Sequence, residues 1–200
     1  MPDAGQSLLR ERILDAAFGA FADAGYAQTS TLEIATRARV SKRELYALVG
    51  SKQDLLLACI TERAKRLQAP VDLPVPTDRE TLAEVLSTFG SQLLRETTDP
   101  TVIAVFRLAI AEAGRTPEIG RVLDSVGSET TRAALRTIMQ HATARGLVSG
   151  RPAVMARQFA GLLWGDLMIG LLLQVVERPT AREVARRARD ATTAFLEIYE

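Results

Sequence analysis

The chain has 200 residues, of which 47% are apolar and 24% are charged, and its formal net charge is +1. This length and composition allow one sizeable core, or a small domain beside a larger one, and the net charge indicates no class of partner. One cysteine (Cys59) and one histidine (His141) exclude an intrachain disulfide, a Cys/His zinc site and a two-histidine metal centre, so no cofactor is expected. Without a disulfide or a signal-peptide pattern, the sequence predicts a cytoplasmic protein.

The positive charge is concentrated in one stretch. Residues 1–69 contain ten Lys or Arg and eight Asp or Glu, and the remaining residues contain fifteen and sixteen. Residues 37–52, however, contain five basic residues and one acidic residue, a local charge of +4. A concentrated basic patch is typical of a surface that binds a polyanion.

Almost every segment predicts a helix, so the fold class is all-α with about nine helices. From residue 8 to residue 24, Leu9, Ile13, Ala17 and Phe21 recur every four positions and define one apolar stripe. Gly25 stands where such a helix ends.

Three short helices follow, and a serine precedes each of them. The pairs Ser30–Glu33 and Ser41–Glu44 form S-x-x-E capping boxes, and residues 51–54 form a weaker version. The predicted helices are therefore 31–38, 42–49 and 52–69. Only about three residues separate the first two, and so short a turn makes them cross steeply, as in a helix-turn-helix.

The remaining helices are predicted after a proline-rich boundary. Residues 69–78 contain three prolines and no helical pattern. The later helices are predicted at about 78–97, 100–114, a pair within 117–145 broken near Gly127, 152–177 and 181–199.

The second of the short helices is the candidate recognition helix. Lys42 and Arg43 occupy its first turn, where side chains can reach guanine or phosphate. Tyr46 can hydrogen-bond a phosphate, and helix starts such as Ser30 offer free amides to phosphate oxygens, with Lys52 adding charge. From these residues alone, an ordinary helical hairpin with exposed cations stays open.

The segment "ILDAAFGAFADAGYAQTSTLEIATRARVSKRELYALVGSKQDLLLA" closely resembles the N-terminal DNA-binding domain of the TetR/AcrR family of transcriptional regulators. The resemblance covers about residues 9–58. It implies a three-helix DNA-binding domain at 1–50, a connecting helix at 51–69, and an effector-binding and dimerisation domain at 70–200. The residues that it implies in DNA binding are Thr29, Ser30, Ser41, Lys42, Arg43, Tyr46 and Lys52. Arg39, a cation of the same basic stretch, is a further DNA-binding candidate.

Four positions depart from the family pattern. Arg39 stands where the turn glycine is common, and a left-handed conformation there would cost about 1 kcal/mol. Leu48 and Val49 replace an aromatic pair, and Arg43 replaces a commoner glycine. The mode of DNA binding therefore carries over, but the operator sequence does not.

The apolar stretch 159–176 raises a choice between a membrane span and a buried helix. Asp166 at its centre and its three glycines disfavour a span. Gly161 and Gly165 allow close helix approach, and a helix that is apolar all round requires cover from a second subunit. We therefore expect a homodimer through the last two helices, as the resemblance also implies, bound to a palindromic operator. The predicted interface residues are Gly161, Gly165, Leu172, Ala188, Ala191 and Phe195.

The segments "VFRLAIAEAGRTPEIGRVL" and "ARQFAGLLWGDL" resemble the C-terminal domains of AefR-like regulators, a subgroup of the same family. Candidate residues of an effector pocket are Phe89, Gln92, Phe106, Arg107, His141, Trp164 and Met168. Each of them also fits plain core or surface. A mostly apolar pocket predicts a small apolar or amphipathic effector.

No motif of an enzyme is present: the sequence lacks G-x-S-x-G, a P-loop, G-x-G-x-x-G and H-E-x-x-H. Together with the basic helix-turn-helix, the TetR/AcrR resemblance implies a homodimeric transcriptional repressor that a small molecule releases from double-stranded operator DNA. A helix-turn-helix module without an effector and a helical small-molecule carrier stay open as alternatives.

Overall fold

The computed structural model describes residues 4–64, 74–124 and 129–199. This part of the chain is helical and contains no strand, which confirms the all-α prediction. Its eleven helices are α1 (Ala4–Ala24), α2 (Thr31–Ala38), α3 (Lys42–Val49), α4 (Lys52–Ala64), α5 (Arg79–Thr97), α6 (Pro100–Ala113), α7 (Pro117–Leu123), α8 (Glu129–Ala144), α9 (Pro152–Trp164), α10 (Leu167–Leu172) and α11 (Ala181–Ile198).

The helices form two compact units. Within the described residues, unit 1 comprises residues 4–64 and 104–124, and unit 2 comprises residues 74–103 and 129–199. The units are therefore not consecutive along the chain, whereas the predicted boundary at residue 70 divides it once. Helix α6 contributes its first residues to unit 2 and the rest to unit 1.

The core of unit 1 is the apolar stripe of α1 and the helices that cover it. Ile13, Ala17 and Phe21 are buried, as the four-residue spacing predicts, and Leu9 packs against them. Leu45 of α3 is fully buried in the same cluster. Other members of this core are Ile34, Leu55, Leu56, Ile60, Val105, Leu108 and Ile119.

The core of unit 2 is centred on α5, which packs against α9 and α11. Gly90 permits this approach: a Cβ atom there would lie 3.0 Å from Leu163 Cδ1 and 3.4 Å from the Cβ of Ala188. Beside this contact, the rings of Phe159 and Phe195 meet edge to face with their centroids 5.7 Å apart. Aromatic pairs in this geometry add to the free energy gained by burial.

The predicted single helix over 152–177 is wrong. Helix α9 ends at Trp164, Gly165 takes φ 45° and ψ −123°, and the short helix α10 follows. The guanidinium of Arg187, from α11, binds the freed end of α9: its Nε and Nη2 donate to the carbonyl oxygens of Leu163 and Trp164 at 2.8 and 2.6 Å. Hydropathy alone does not reveal this break, because α9 ends at a glycine inside an apolar stretch and the donor to its last carbonyls is distant in sequence.

The other predicted helices agree with the structure within a few residues, except that α1 begins one turn earlier than residue 8. Residues 65–69 of the predicted fourth helix, the first half of the proline-rich boundary and the break near Gly127 lie outside the described residues. No described helix is long and apolar enough to cross a membrane.

Candidate nucleic-acid interface

The turn between α2 and α3 is a Schellman motif centred on Arg39. This residue is left-handed, with φ 53° and ψ 48°, at the position where the family commonly has glycine. Its amide donates to the carbonyl of Thr36 at 3.1 Å, and the amide of Val40 donates to the carbonyl of Ala35 at 3.0 Å. Val40 also packs against the core of unit 1. The turn therefore fixes how α3 leaves α2, and Arg39 carries the strain of a left-handed side chain.

Helix α3 begins with a complete capping box. The Oγ of Ser41 accepts from the amide of Glu44 at 3.1 Å, and a Glu44 carboxylate oxygen accepts from the amide of Ser41 at 2.8 Å. The bonds from the Ser41 side chain and then from its amide lower the pKa of Glu44 below its ordinary value. The Glu44 carboxylate is therefore charged at neutral pH, and its bond to the Ser41 amide forms part of the helix cap.

Two cations occupy the exposed first turn of α3. Lys42 and Arg43 are both exposed, and neither makes an ion pair in the described part of the chain. Lys42 Nζ lies 5.8 Å from the centre of the Tyr46 ring, one turn further along. Buried Leu45 anchors the opposite face of the helix. The exposed face of α3 is therefore positively charged, while its opposite face is held in the core by Leu45.

Tyr46 is positioned by a residue that the sequence did not identify. Its side chain is 44% exposed, and its hydroxyl lies 3.2 Å from Oγ1 of Thr31, the first residue of α2. The two hydroxyls join the start of α2 to the second turn of α3 on the exposed side. A contact across fifteen residues between two ordinary polar side chains has no local signal in the sequence.

The start of α4 adds a further cation. Lys52 Nζ lies 4.4 Å from the centre of the Tyr26 ring and 3.5 Å from the carbonyl oxygen of Ala27. Partial burial, and secondly the charge of Glu112, raise the pKa of Tyr26, so the ring is neutral beneath the ammonium group. The sequence indicated Lys52 but not Tyr26, which holds it in place.

Of the two residues expected at the start of α2, only Ser30 is exposed. It is the N-cap, and its Oγ accepts from the amide of Glu33 at 3.1 Å. Thr29 is 2% exposed, and its hydroxyl donates toward the carbonyls of Ala20 and Gly25 at 3.0 and 2.8 Å. The prediction that Thr29 contacts phosphate therefore needs correction: its side chain ties the end of α1 to the start of α2.

The basic patch is smaller than the charge count over residues 37–52 indicates. The guanidinium of Arg37 is 2.9 Å from a carboxylate oxygen of Asp23 and 2.9 Å from one of Glu33. These two acids neutralise Arg37 within unit 1. The cations that remain for a ligand are Arg39, Lys42, Arg43 and Lys52.

The predicted pocket residues are divided between the two units. Phe106 and Arg107 belong to unit 1, whereas the other five belong to unit 2. Phe89 is buried in the core, and His141 is exposed. Gln92 is partly buried, and its Oε1 is buried without a hydrogen-bond partner. Met168 and Trp164 are partly buried; Trp164 lines a groove between α8 and α9.

The predicted dimer residues fall into two groups. Ala188, Ala191 and Phe195 are buried within unit 2, so their side chains have no surface to offer a second subunit. This is a correction: the apolar face of α11 packs on α5 and α9 of its own chain. The other predicted residues lie on or beside α9 and α10, where Gly161 and Gly165 are exposed and Leu172 is partly buried. A Cβ at Gly161 would meet no atom within 4 Å.

Comparisons with known proteins agree with this geometry. Residues 13–59 match the family described as bacterial regulatory proteins of the tetR family, and residues 84–200 match the C-terminal domain of AefR-like transcriptional repressors. The helix-turn-helix lies inside the first match, and most of unit 2 lies inside the second. The chain belongs to the TetR family of transcriptional regulators.

Solved structures with the same fold cover nearly the whole chain. A TetR-family regulator of Mesorhizobium loti is 28% identical, with a TM-score of 0.82 and coverage of 98% of this chain and 99% of that one. The flavonoid-responsive regulator FrrA is 29% identical, with a TM-score of 0.77 and coverage of 97% and 98%.

A curated relative from Mycobacterium tuberculosis matches over a smaller part of its length. This uncharacterized HTH-type transcriptional regulator is 27% identical over 149 residues, which are 74% of this chain. The matched region spans 66% of the relative's own length. The family and these relatives are described as transcriptional regulators.

Proposed function

We propose that this protein is a homodimeric repressor that binds a palindromic operator through α3 and leaves it when a small molecule binds unit 2. The observation that carries the proposal is the pair of exposed cations, Lys42 and Arg43, on the first turn of the capped helix α3. Both can reach guanine O6 and N7 in the major groove, and Arg43 can do so with two parallel hydrogen bonds.

Contacts to phosphate surround this helix in the proposed complex. The exposed helix starts at Ser30 and Ser51 offer backbone amides to phosphate oxygens. The hydroxyl of Tyr46, a residue of α3, lies beside Thr31 at the start of α2. Lys52 is the first residue of α4. Such contacts set the position of the protein on the duplex, whereas Lys42 and Arg43 read the bases.

The proposed dimer uses the exposed side of α9 and α10. Gly161 and Leu162 lie there with Ile169, whose side chain is 61% exposed. Leu173, Val175 and Val176 extend this apolar surface beyond the end of α10. Several large apolar side chains are therefore exposed within one short segment, which supports cover by a second copy. A two-fold dimer would place its recognition helices about 34 Å apart, one turn of DNA.

The effector is proposed to shift the equilibrium between two dimer states. In one state the recognition helices match adjacent major grooves, and in the other they do not. The effector must bind the second state more tightly than the first. The flavonoid-responsive name of one relative supports an amphipathic, ring-containing effector, and the AefR-like repressor match supports repression. A cytoplasmic location is proposed because the operator would be chromosomal DNA.

The test is DNase I footprinting of the purified protein on the DNA upstream of its own gene. The proposal predicts a protected palindrome and an affinity that falls steeply with added salt, because cations that contact phosphate release counterions. A small-molecule screen on that complex then tests release. Absence of any protected site and of salt dependence would contradict the DNA-binding proposal, whereas protection that no small molecule reverses would favour a module without an effector.

A further inference from the structure

Unit 2 contains a groove between α8 and α9 that is lined by both apolar and cationic side chains. The groove has a volume of about 620 Å³, within the range of about 300–1,000 Å³ that small-molecule sites occupy. Ala153, Ala156 and Ala160 lie on one face of α9 and line it with small apolar side chains, and Leu135 of α8 adds to them. Apart from Leu135 and Trp164, the apolar part of the lining therefore consists of small side chains.

Three guanidinium groups line this apolar surface. Arg132 and Arg136 of α8 share one acid, Glu129, at 3.3 and 3.4 Å. Arg157 of α9 makes no hydrogen bond or ion pair within the described residues. Because Arg157 has no acid beside it in the described residues, its guanidinium is available to a ligand.

Trp164 closes one end of the groove and is itself held by the end of α9. It is the last residue of α9, and its carbonyl oxygen accepts the 2.6 Å bond from Arg187 of α11. A ligand that contacts Trp164 therefore contacts the helix end that Arg187 joins to α11. The groove is thus connected through Arg187 to α11, and it shares α9 with the proposed dimer surface.

We propose that this groove binds a flat aromatic molecule that carries one carboxylate. Its ring would lie on the alanines beside Trp164, and its carboxylate would face Arg157 and Arg136, since guanidinium groups bind carboxylates and also stack on rings. This inference rests on the proposed effector-binding function and specifies its ligand class. A neutral ring of the same size would gain the apolar contacts but leave the arginines without a ligand anion.

The test uses the single tryptophan of the chain. In the ¹⁵N-labelled full-length protein, one indole N–H signal reports directly on Trp164, and 2-naphthoate and 2-naphthamide serve as charged and neutral probes. We expect 2-naphthoate to move this signal in a saturable way and to bind at least about fivefold more tightly than the amide.

Variants localise the effect. Arg157→Gln is expected to weaken 2-naphthoate about fivefold and leave the amide unchanged, and Ala153→Leu, which fills the groove, is expected to weaken both probes. Arg145→Gln, at an exposed arginine just beyond the same helix α8, is the matched control and is expected to change neither.

Two results would overturn the proposal: no movement of the indole signal by 2-naphthoate, or equal affinity for the two probes. Operator binding by Arg157→Gln without a probe separates the two claims. It should equal that of the unmodified protein, so a failure of naphthoate binding counts against this groove and leaves DNA binding untouched.

Discussion

Helices α3 and α9 both end at a glycine with positive φ, but they are held in different ways. Gly50 ends α3 with φ 86°, and Gly165 ends α9 with φ 45°. The start of α3 is fixed by two bonds between residues three apart. The end of α9 is fixed by Arg187, 24 residues beyond Leu163 in the chain. A helix with local caps is recognisable from its own residues, whereas one held by a distant arginine is not.

The difference also concerns what each helix does. The local bonds of α3 fix its first turn. They leave the cations of that turn exposed, so its outer face is available to a ligand. The distant bond of α9 joins it to α11, so a change at the end of α9 reaches another helix. This contrast makes α3 suited to reading DNA and the end of α9 suited to reporting a bound ligand.

The largest effect is expected when the distant bond is removed. Arg187→Leu leaves two carbonyls at the end of α9 without their charged donor, which should lower the free energy of unfolding by about 2 kcal/mol. Urea unfolding measures this change. Arg186→Leu, at the exposed neighbouring position, is the control and should change it by less than about 0.5 kcal/mol. Equal effects of the two variants would contradict the distant-bond account.

A somewhat smaller effect is expected at Thr29. Thr29→Val keeps the shape of the side chain but removes the buried hydroxyl that donates to two carbonyls, at a cost of about 1–2 kcal/mol of stability. Since Thr29 is buried, DNA affinity measured at a temperature where the variant is folded should be unchanged. A large loss of affinity without loss of stability would restore Thr29 as a DNA contact.

A third prediction concerns the backbone strain at Arg39, in the turn that precedes the locally capped helix α3. Arg39→Gly relieves a left-handed side chain and should raise the free energy of unfolding by about 1 kcal/mol, less the extra entropy of glycine in the unfolded chain. Arg39→Ala removes the same charge but keeps the Cβ atom, so it should give no such gain. If both variants stabilise the protein equally, charge and not backbone strain is the cause.

The smallest effect is expected on how the stability of the protein depends on pH, through the cap of α3. The Ser41 bonds lower the pKa of Glu44 in the folded protein, so their contribution is present above the ordinary pKa of a glutamate. It is lost as the pH falls through the lowered value. Thermal unfolding between neutral pH and about pH 3 should therefore show a smaller fall for Glu44→Gln than for the unmodified protein. Identical profiles would contradict a charged cap.

Much of the fold and part of the site follow from local patterns. Periodicity and serine caps predicted α2 and α3 to the residue and the outward position of Lys42 and Arg43. Contacts between distant residues escaped prediction. The bond between Thr31 and Tyr46 and the packing of Lys52 on Tyr26 require the tertiary fold. The break at Gly165 and the burial of Phe195 under α5 also depend on which helices meet.

The central claim is that the first turn of α3 reads DNA. Fluorescence anisotropy with the footprinted operator compares the double variant Lys42→Glu, Arg43→Glu with Arg145→Glu, Arg182→Glu, which changes the net charge equally at exposed positions of unit 2. The account predicts at least about a 100-fold loss of affinity and a shallower salt dependence for the first, and less than about a twofold change for the second. Equal affinity of the two double variants would contradict it.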